Sequence, residues 1–306
     1  MKIVVTSPSF SKNEILKNEL LRSFPRAIFN EEGNKFSGKK LIKFVKGADG
    51  IIVGLERLDQ SVLGECDALK IISKYGVGLD NIDLEYCKER GISIGWTPGV
   101  NRISVAEMTI AFMLALSRNL FLTSNQLKTG LWNKDGGSDL RGKTVGIIGI
   151  GNIGKEIIRL LKVFGNRILV NDIVEQREYY SVNKVIETTK EEIYRQSDIV
   201  TLHVPFNSDT LHLINRDVFR EMKNCAYLIN TSRGKVVEQN SLKWALMNGI
   251  IAGAAIDVYE EEPPEDKELL SLPNLICTPH IGGNALESVL AMGRSAIRHL
   301  QGFFEV

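Results

Sequence analysis

Three glycines at G-x-G-x-x-G spacing, Gly149, Gly151 and Gly154, stand in the stretch GIIGIGNIGKEI (146–157). Val145, Ile147, Ile148 and Ile150 lead in, and Ile153, Ile157 and Ile158 follow at helical spacing. A strand, a tight turn and a helix in that order make a cradle for a pyrophosphate. Gly149 allows the turn, Gly151 lets the backbone approach the diphosphate, and Gly154 lets the helix close on the strand. Asn152 and Ile153, between them, count with the same site. Asp172 ends the next apolar run, 18 residues past Gly154. A carboxylate there accepts hydrogen bonds from an adenosine ribose and repels a 2′-phosphate, which argues for NAD over NADP. Asn171 and Arg177 nearby weaken that preference.

Three further clusters fall at or near strand ends, where open α/β sheets place ligands. They are NTSRG (230–234), DVYEEEPPED (257–266) and TPHIGG (278–283), and they offer Arg233, Asp257, Glu262 and His280. An arginine fork fixes a carboxylate through paired, charge-assisted hydrogen bonds. A histidine delivers a proton to a carbonyl oxygen as hydride arrives at carbon. A neighbouring carboxylate orients that histidine and favours its protonated form. Reduction of a 2-keto acid needs such a set. Taken singly, each residue has an ordinary structural explanation. Glu260, Glu261, Glu265 and Asp266 are expected to form a solvated acidic turn, and His299 is read as structural. His203, followed by Val204 and Pro205, is expected beside the cofactor by strand position, with no proton transfer assigned to it.

The elements that must position these groups alternate along the chain. Strands are expected at 2–7, 27–30, 50–55, 69–75 and 91–96, with helices at 12–23, 39–46, 59–64 and 83–90 between them. Short, β-branched, nearly continuous apolar strands indicate a parallel sheet covered on both faces. The first strand is followed by TSPSF rather than a glycine-rich turn, so the dinucleotide site lies elsewhere. A helix at about 103–119, apolar on several faces, reads as buried between domains or subunits. From 144 the alternation resumes: strands at 144–150, 167–172, 198–205, 226–232, 251–259 and 275–283, a helix at 152–164, and one at 241–249 with Ser241 as its cap and Gly249 as its stop. A last helix, 284–303, lies beyond the final strand and is free to return to the first domain. The fold class is therefore α/β, with two doubly wound parallel-sheet domains.

Bulk properties narrow the partners. The chain has 306 residues, 43% hydrophobic and 25% charged, with a net charge of +1. No bulk field draws it to nucleic acid or membrane. The basic stretch GKKLIKFVKG (38–47) reads as a helix with a solvated lysine face. Four scattered cysteines without C-x-x-C spacing read as reduced, mostly core residues; no metal site is expected, and the expected compartment is cytoplasmic. Neither a signal-peptide core nor a membrane span is read.

The sequence resembles the D-isomer-specific 2-hydroxyacid dehydrogenases along nearly its whole length. The stretches that carry the likeness are KYGVGLDNID (74–83), TPGVNRISVAE (97–107), GIIGIGNIG (146–154), LHVPFNSDTLHLI (202–214), INTSRGKVV (229–237), AIDVYEEEPP (255–264) and TPHIGG (278–283). The resemblance implies a Rossmann NAD-binding domain, 99–283, inserted into a flavodoxin-like substrate domain, 1–98 and 284–306, with a cleft between the two. It implies Arg233, Glu262 and His280 as the catalytic set and Asp257 on the nicotinamide carboxamide. It also implies Thr231, Ser232, Gly282 and Gly283 in the cofactor site, and the loop Lys74, Tyr75, Gly76, Val77 and Gly78 on the substrate. A homodimer through the cofactor domains is implied as well. The family's phosphoglycerate dehydrogenases tend to have an arginine where Lys74 stands and further basic residues where the chain reads GLERLD (54–59). A phosphorylated substrate would rest on Lys74 and Arg57 alone. The chain runs only to Val306, so no C-terminal regulatory domain is expected. Two other readings share the plan: a non-enzymatic NAD-dependent, co-repressor-like binding protein, and an adenosylhomocysteine-hydrolase-like enzyme.

Overall fold

The β-branched runs form twelve strands, every one paired in parallel, in a computed structural model that describes residues 1–306. The chain divides into two units, Met1–Asn101 with Gly283–Val306, and Arg102–Gly282. No single helix is long and apolar enough to cross a membrane.

The first unit holds β1 (Ile3–Val5), β2 (Ile28–Phe29), β3 (Gly50–Val53), β4 (Ile71–Lys74) and β5 (Ser93–Gly95). Their order is β2-β1-β3-β4-β5, the flavodoxin-like order. Each strand is shorter than its apolar run, because the flanking residues turn into loops beyond the ladder. The helix Glu14–Ser23 starts on Asn13, whose side chain accepts from the Leu16 amide at 3.1 Å. The basic stretch forms the helix Gly38–Val45, with Leu41 and Val45 buried and its lysines exposed. The helix Leu286–Phe304 covers one face of this sheet. Its Met292, Ala296, Ile297 and Leu300 share a core with Ile3, Val5, Leu16 and Leu20. Ser73 Oγ donates to the Ala296 carbonyl at 2.8 Å, and Arg294 pairs with Glu19. His299 Nε2 lies 2.9 Å from Thr97 Oγ1. Burial, then the Arg298 charge, pushes the His299 pKa down.

The second unit holds β6 (Thr144–Ile148), β7 (Arg167–Asn171), β8 (Ile186–Glu187), β9 (Ile199–Leu202), β10 (Tyr227–Asn230), β11 (Gly253–Ile256) and β12 (Leu275–Cys277). The order β12-β11-β10-β9-β6-β7-β8 reverses between β6 and β9, the Rossmann arrangement. Sequence patterning anticipates six of these strands. β8 is two exposed residues at the sheet edge, too short for an alternation to register.

One helical expectation is corrected. The helix expected from Ser241 runs Gln239–Met247, and the Ser241 hydroxyl donates to Glu238 instead of capping an amide. The apolar helix Arg102–Ser117 packs one face into the core of the second unit and leaves Ile103 half exposed. Its Ala106, Ile110, Met113 and Leu116 join the core of Val145, Ile147, Ile157 and Leu161. Of the four cysteines, none is paired; Cys66 and Cys87 are buried, Cys277 is half-buried and Cys225 is exposed.

Candidate active site

At the switch point of the second sheet the glycine-rich turn leaves β6 and enters the helix Asn152–Leu161. Gly149 adopts φ +96°, and a Cβ there would stand 2.5 Å from the His203 carbonyl oxygen. At Gly154 a Cβ would stand 2.3 Å from the Gly149 carbonyl oxygen. These two glycines let three backbone segments touch. Gly151 differs: a Cβ there meets nothing within 4 Å. It is the N-cap of its helix and makes no side-chain cap, so the first helical amides keep no side-chain partner. An open, uncapped helix N-terminus of this kind fits a diphosphate. Asp172 accepts from the Ile150 amide at 2.5 Å and the Val174 amide at 2.8 Å. A carboxylate has about four lone-pair sites, so it retains capacity for a ribose.

His203 directly follows β9, beside this turn. Its Nε2 lies 2.8 Å from Thr201 Oγ1, and its Nδ1 is buried with no partner. Burial pushes its pKa down to about 3, so the ring stays neutral.

The catalytic candidates of this unit come from three strand ends, and their positioning is specific. Beyond β10, buried Asn230 organises the arginine loop. Its Oδ1 accepts from the Ser232 amide (3.0 Å) and hydroxyl (2.8 Å), and its Nδ2 donates to the Arg233 carbonyl at 3.0 Å. Thr231 Oγ1 lies 3.3 Å from Thr109 Oγ1 of the buried helix. Arg233 donates from Nη1 to the Ser232 carbonyl at 2.7 Å. The next residue is pressed onto the acidic loop: a Cβ on Gly234 would fall 1.9 Å from the Tyr259 carbonyl. Backbone contact at Gly234 thus brings Arg233 toward Glu262.

Beyond β11, Asp257 is 1% exposed. It accepts from Thr278 Oγ1 (2.6 Å), the Ile281 amide (2.8 Å) and the Gly282 amide (2.7 Å). Those bonds, with Tyr259 OH donating to the Thr278 carbonyl at 2.9 Å, hold the loop that carries His280. His280 itself sits at φ +54°, a left-handed conformation that non-glycine residues rarely adopt and that functional sites concentrate. Its Nδ1 lies 2.7 Å from Glu262 Oε2, and Glu262 Oε1 accepts from the Tyr259 amide at 3.2 Å. Burial pushes the Glu262 carboxyl up. The His280 hydrogen bond and charge, the Tyr259 amide and the Arg233 charge outweigh it and hold the carboxyl below the usual carboxylate range.

The second unit therefore brings together Arg233, Glu262 and His280, with Asp257 beneath them. Gly283 belongs to the first unit, with Lys74–Gly78. There Tyr75 is 8% exposed and packs edge-on to Phe10 at 5.4 Å, so its side chain belongs to the core. The Val77 carbonyl accepts from Trp96 Nε1 at 2.8 Å.

The acidic turn is not simply solvated. Glu260 Oε1 accepts from the Gln239 amide at 2.9 Å and lies 3.3 Å from His212 Nε2. Asp266 caps the helix Lys267–Leu270 and pairs with Lys243 at 3.0 Å. Asn230, Gly234 and Tyr259 are positioning residues that the sequence pattern does not mark. Gly234, directly after the arginine, carried the one available signal, a glycine at a strand end.

A family model described as "D-isomer specific 2-hydroxyacid dehydrogenase, NAD binding domain" matches residues 110–282. The chain is 37% identical over 305 residues to the glyoxylate reductase of Pyrococcus furiosus, covering 94% of this chain and 88% of that one. The chain belongs to the D-isomer specific 2-hydroxyacid dehydrogenases. Another relative is the D-3-phosphoglycerate dehydrogenase of Methanocaldococcus jannaschii, 35% identical over 96% of this chain but only 55% of that protein. Among solved structures, the D-lactate dehydrogenase of Aquifex aeolicus, complexed with NAD and lactic acid, superposes with a TM-score of 0.85 at 28% identity. That likeness covers 100% of this chain and 96% of that one. This dehydrogenase thus carries the family's NAD-binding domain in its second unit.

Proposed function

We propose that the chain is an NAD-linked oxidoreductase interconverting a small 2-keto acid and its D-2-hydroxy acid. NAD supplies a hydride-carrying nicotinamide. The open helix start at Gly151–Gly154 would hold the diphosphate, Asp172 the adenosine ribose, and the strand ends at His203–Pro205 and Thr231–Ser232 the rest of the cofactor. Asp257 would face the carboxamide while anchoring the histidine loop. Arg233 binds the substrate carboxylate through its guanidinium fork. His280 gives a proton to the carbonyl oxygen in reduction and takes it back in oxidation. Glu262 fixes the ring through Nδ1, leaving Nε2 for the substrate, and offsets the positive charge of the imidazolium.

The 2.7 Å bond between His280 and Glu262, next to the Arg233 loop, carries this reading. It also weighs against a non-enzymatic, co-repressor-like role, which needs no such pair. The decisive assay is NADH oxidation with glyoxylate, hydroxypyruvate, pyruvate and 3-phosphohydroxypyruvate. Turnover on at least one acid is expected; tight NADH binding with no turnover on any would leave a binding protein.

A cytoplasmic homodimer belongs to the same proposal. Leu120, Leu127, Leu131 and Trp132 are more than half exposed, which supports a self-association surface at 120–132. Sedimentation of wild type against Trp132→Asp tests it: a dimer that dissociates is expected, and a monomeric wild type would refute it.

A further inference from the structure

We propose that Glu56 makes the loop after β3 a filter against phosphorylated acids, so that the substrate is an unphosphorylated 2-keto or 2-hydroxy acid. The inference deepens the dehydrogenase reading above and rests on it. In the first sheet the strand order reverses between β1 and β3. Open sheets take ligands beyond the carboxyl ends of their strands at such a point. The loops there are Thr6–Ser9 after β1 and Gly54–Asp59 after β3, with Lys74–Val77 beside them after β4.

The two cations in these loops are already engaged. Lys74 is 5% exposed, and its Nζ donates to the Gly54 carbonyl and to Asn81 Oδ1, the latter at 2.7 Å. Asn81 in turn donates from Nδ2 to the carbonyls of Gly54 (3.2 Å) and Glu56 (2.6 Å). Lys74 and Asn81 together brace the loop after β3 from beneath. Arg57 is 82% exposed in its side chain, and its Nε lies 3.3 Å from Asp59.

The fixed charge at the switch point is negative. Glu56 Oε2 accepts from the Thr6 hydroxyl at 2.8 Å and the Gly54 amide at 3.0 Å, which locks the carboxylate across the gap between β1 and β3. A phosphate-binding site presents cations and amides toward its ligand. Here a lysine is turned inward, an amide is taken by a carboxylate, and that carboxylate is held in place. A dianionic tail would be repelled, whereas a hydrogen or hydroxyl tail would not, and a hydroxyl could donate to Glu56.

The test compares kcat/KM for glyoxylate, hydroxypyruvate and 3-phosphohydroxypyruvate in wild type, Glu56→Gln and Arg57→Ala. Wild type is expected to favour the unphosphorylated acids by at least ~10-fold. Glu56→Gln keeps an oxygen that accepts from Thr6 and Gly54 while removing the charge. It is expected to shift the ratio toward the phosphorylated acid by at least ~3-fold, with Tm checking that the strand ends stay tied. A wild type that prefers the phosphorylated acid, and loses that preference in Arg57→Ala, overturns the filter. So does a folded Glu56→Gln with an unchanged ratio. If that variant fails to fold, the wild-type ratio decides alone. No turnover on any acid removes the dehydrogenase reading, and this inference falls with it.

Discussion

The two units are built on the same plan and finish their switch points in opposite ways. Both are parallel sheets whose order reverses once, between β1 and β3 in the first and between β6 and β9 in the second. In the second, Gly149 and Gly154 let the backbone segments of the turn touch, Gly151 faces open space, and a helix start is left uncapped. In the first, Thr6, Glu56, Lys74 and Asn81 bond to one another and to the backbone, and no glycine-rich turn follows the first strand. Architecture sets where a ligand arrives; side chains at that place decide what it is.

The comparison breaks most sharply at the proton donor. His280→Ala is expected to lose ~10²–10⁴-fold in turnover, while NADH titration by fluorescence shows binding retained. Near-normal turnover would remove the role given to the ring. The glycine turn gives the next largest effect, and it separates folding from binding. Gly149→Ala puts a Cβ against the His203 carbonyl at a positive φ and should lower stability by more than ~1 kcal/mol in denaturant unfolding. Gly151→Val, where a Cβ meets nothing, should lose less stability than Gly149→Ala, the cost being that of a poorer N-cap, but bind NADH at least ~10-fold more weakly. If both variants fail in the same way, the turn is structural only. Arg233→Lys follows: a KM increase of about 10-fold or more is expected from the lost fork, with a smaller change in kcat. The smallest effect is in stability against pH. The Glu262 carboxyl is lowered in the folded state, so its charge contributes stability above the ordinary carboxylate range. That contribution disappears as pH falls through the lowered value. The Tm gap between wild type and Glu262→Gln should therefore narrow from about pH 6 to about pH 3; a constant gap would mean that the pair stabilises nothing through charge.

Legibility in the sequence followed the physics of each signal. Strands buried on both faces write continuous apolar runs, so the two sheets could be read; β8, two exposed edge residues, could not. The helix Arg102–Ser117 was visible from its apolar content, but an all-round apolar helix reports burial and says nothing about which surface does the burying; one of its faces is covered by the core of the second unit. Arginine, acid and histidine at successive strand ends suit one reaction, which marks Arg233, Asp257, Glu262 and His280 as candidates; the choice of Arg233, Glu262 and His280 among them rests on the family resemblance. The residues that hold them carry no such mark. Asn230 acts through three hydrogen bonds to its own loop, and Gly234 acts by having no side chain, neither of which leaves a periodic or charged trace. Glu260 read as solvent-facing from its acidic neighbours, yet its partners, Gln239 and His212, are distant in sequence.

The helix Leu286–Phe304 has a consequence for biosynthesis. Its Met292, Ala296, Ile297 and Leu300 wall a core whose other side is made by residues from β1 and the helix Glu14–Ser23. During translation those early segments emerge first and must wait, with Ile3, Val5, Leu16 and Leu20 uncovered, until the whole of the second unit has left the ribosome. The cofactor-binding half can mature on the nascent chain; the other half is completed only once residues 286–304 follow it, and that interval is when a chaperone would find the most to hold.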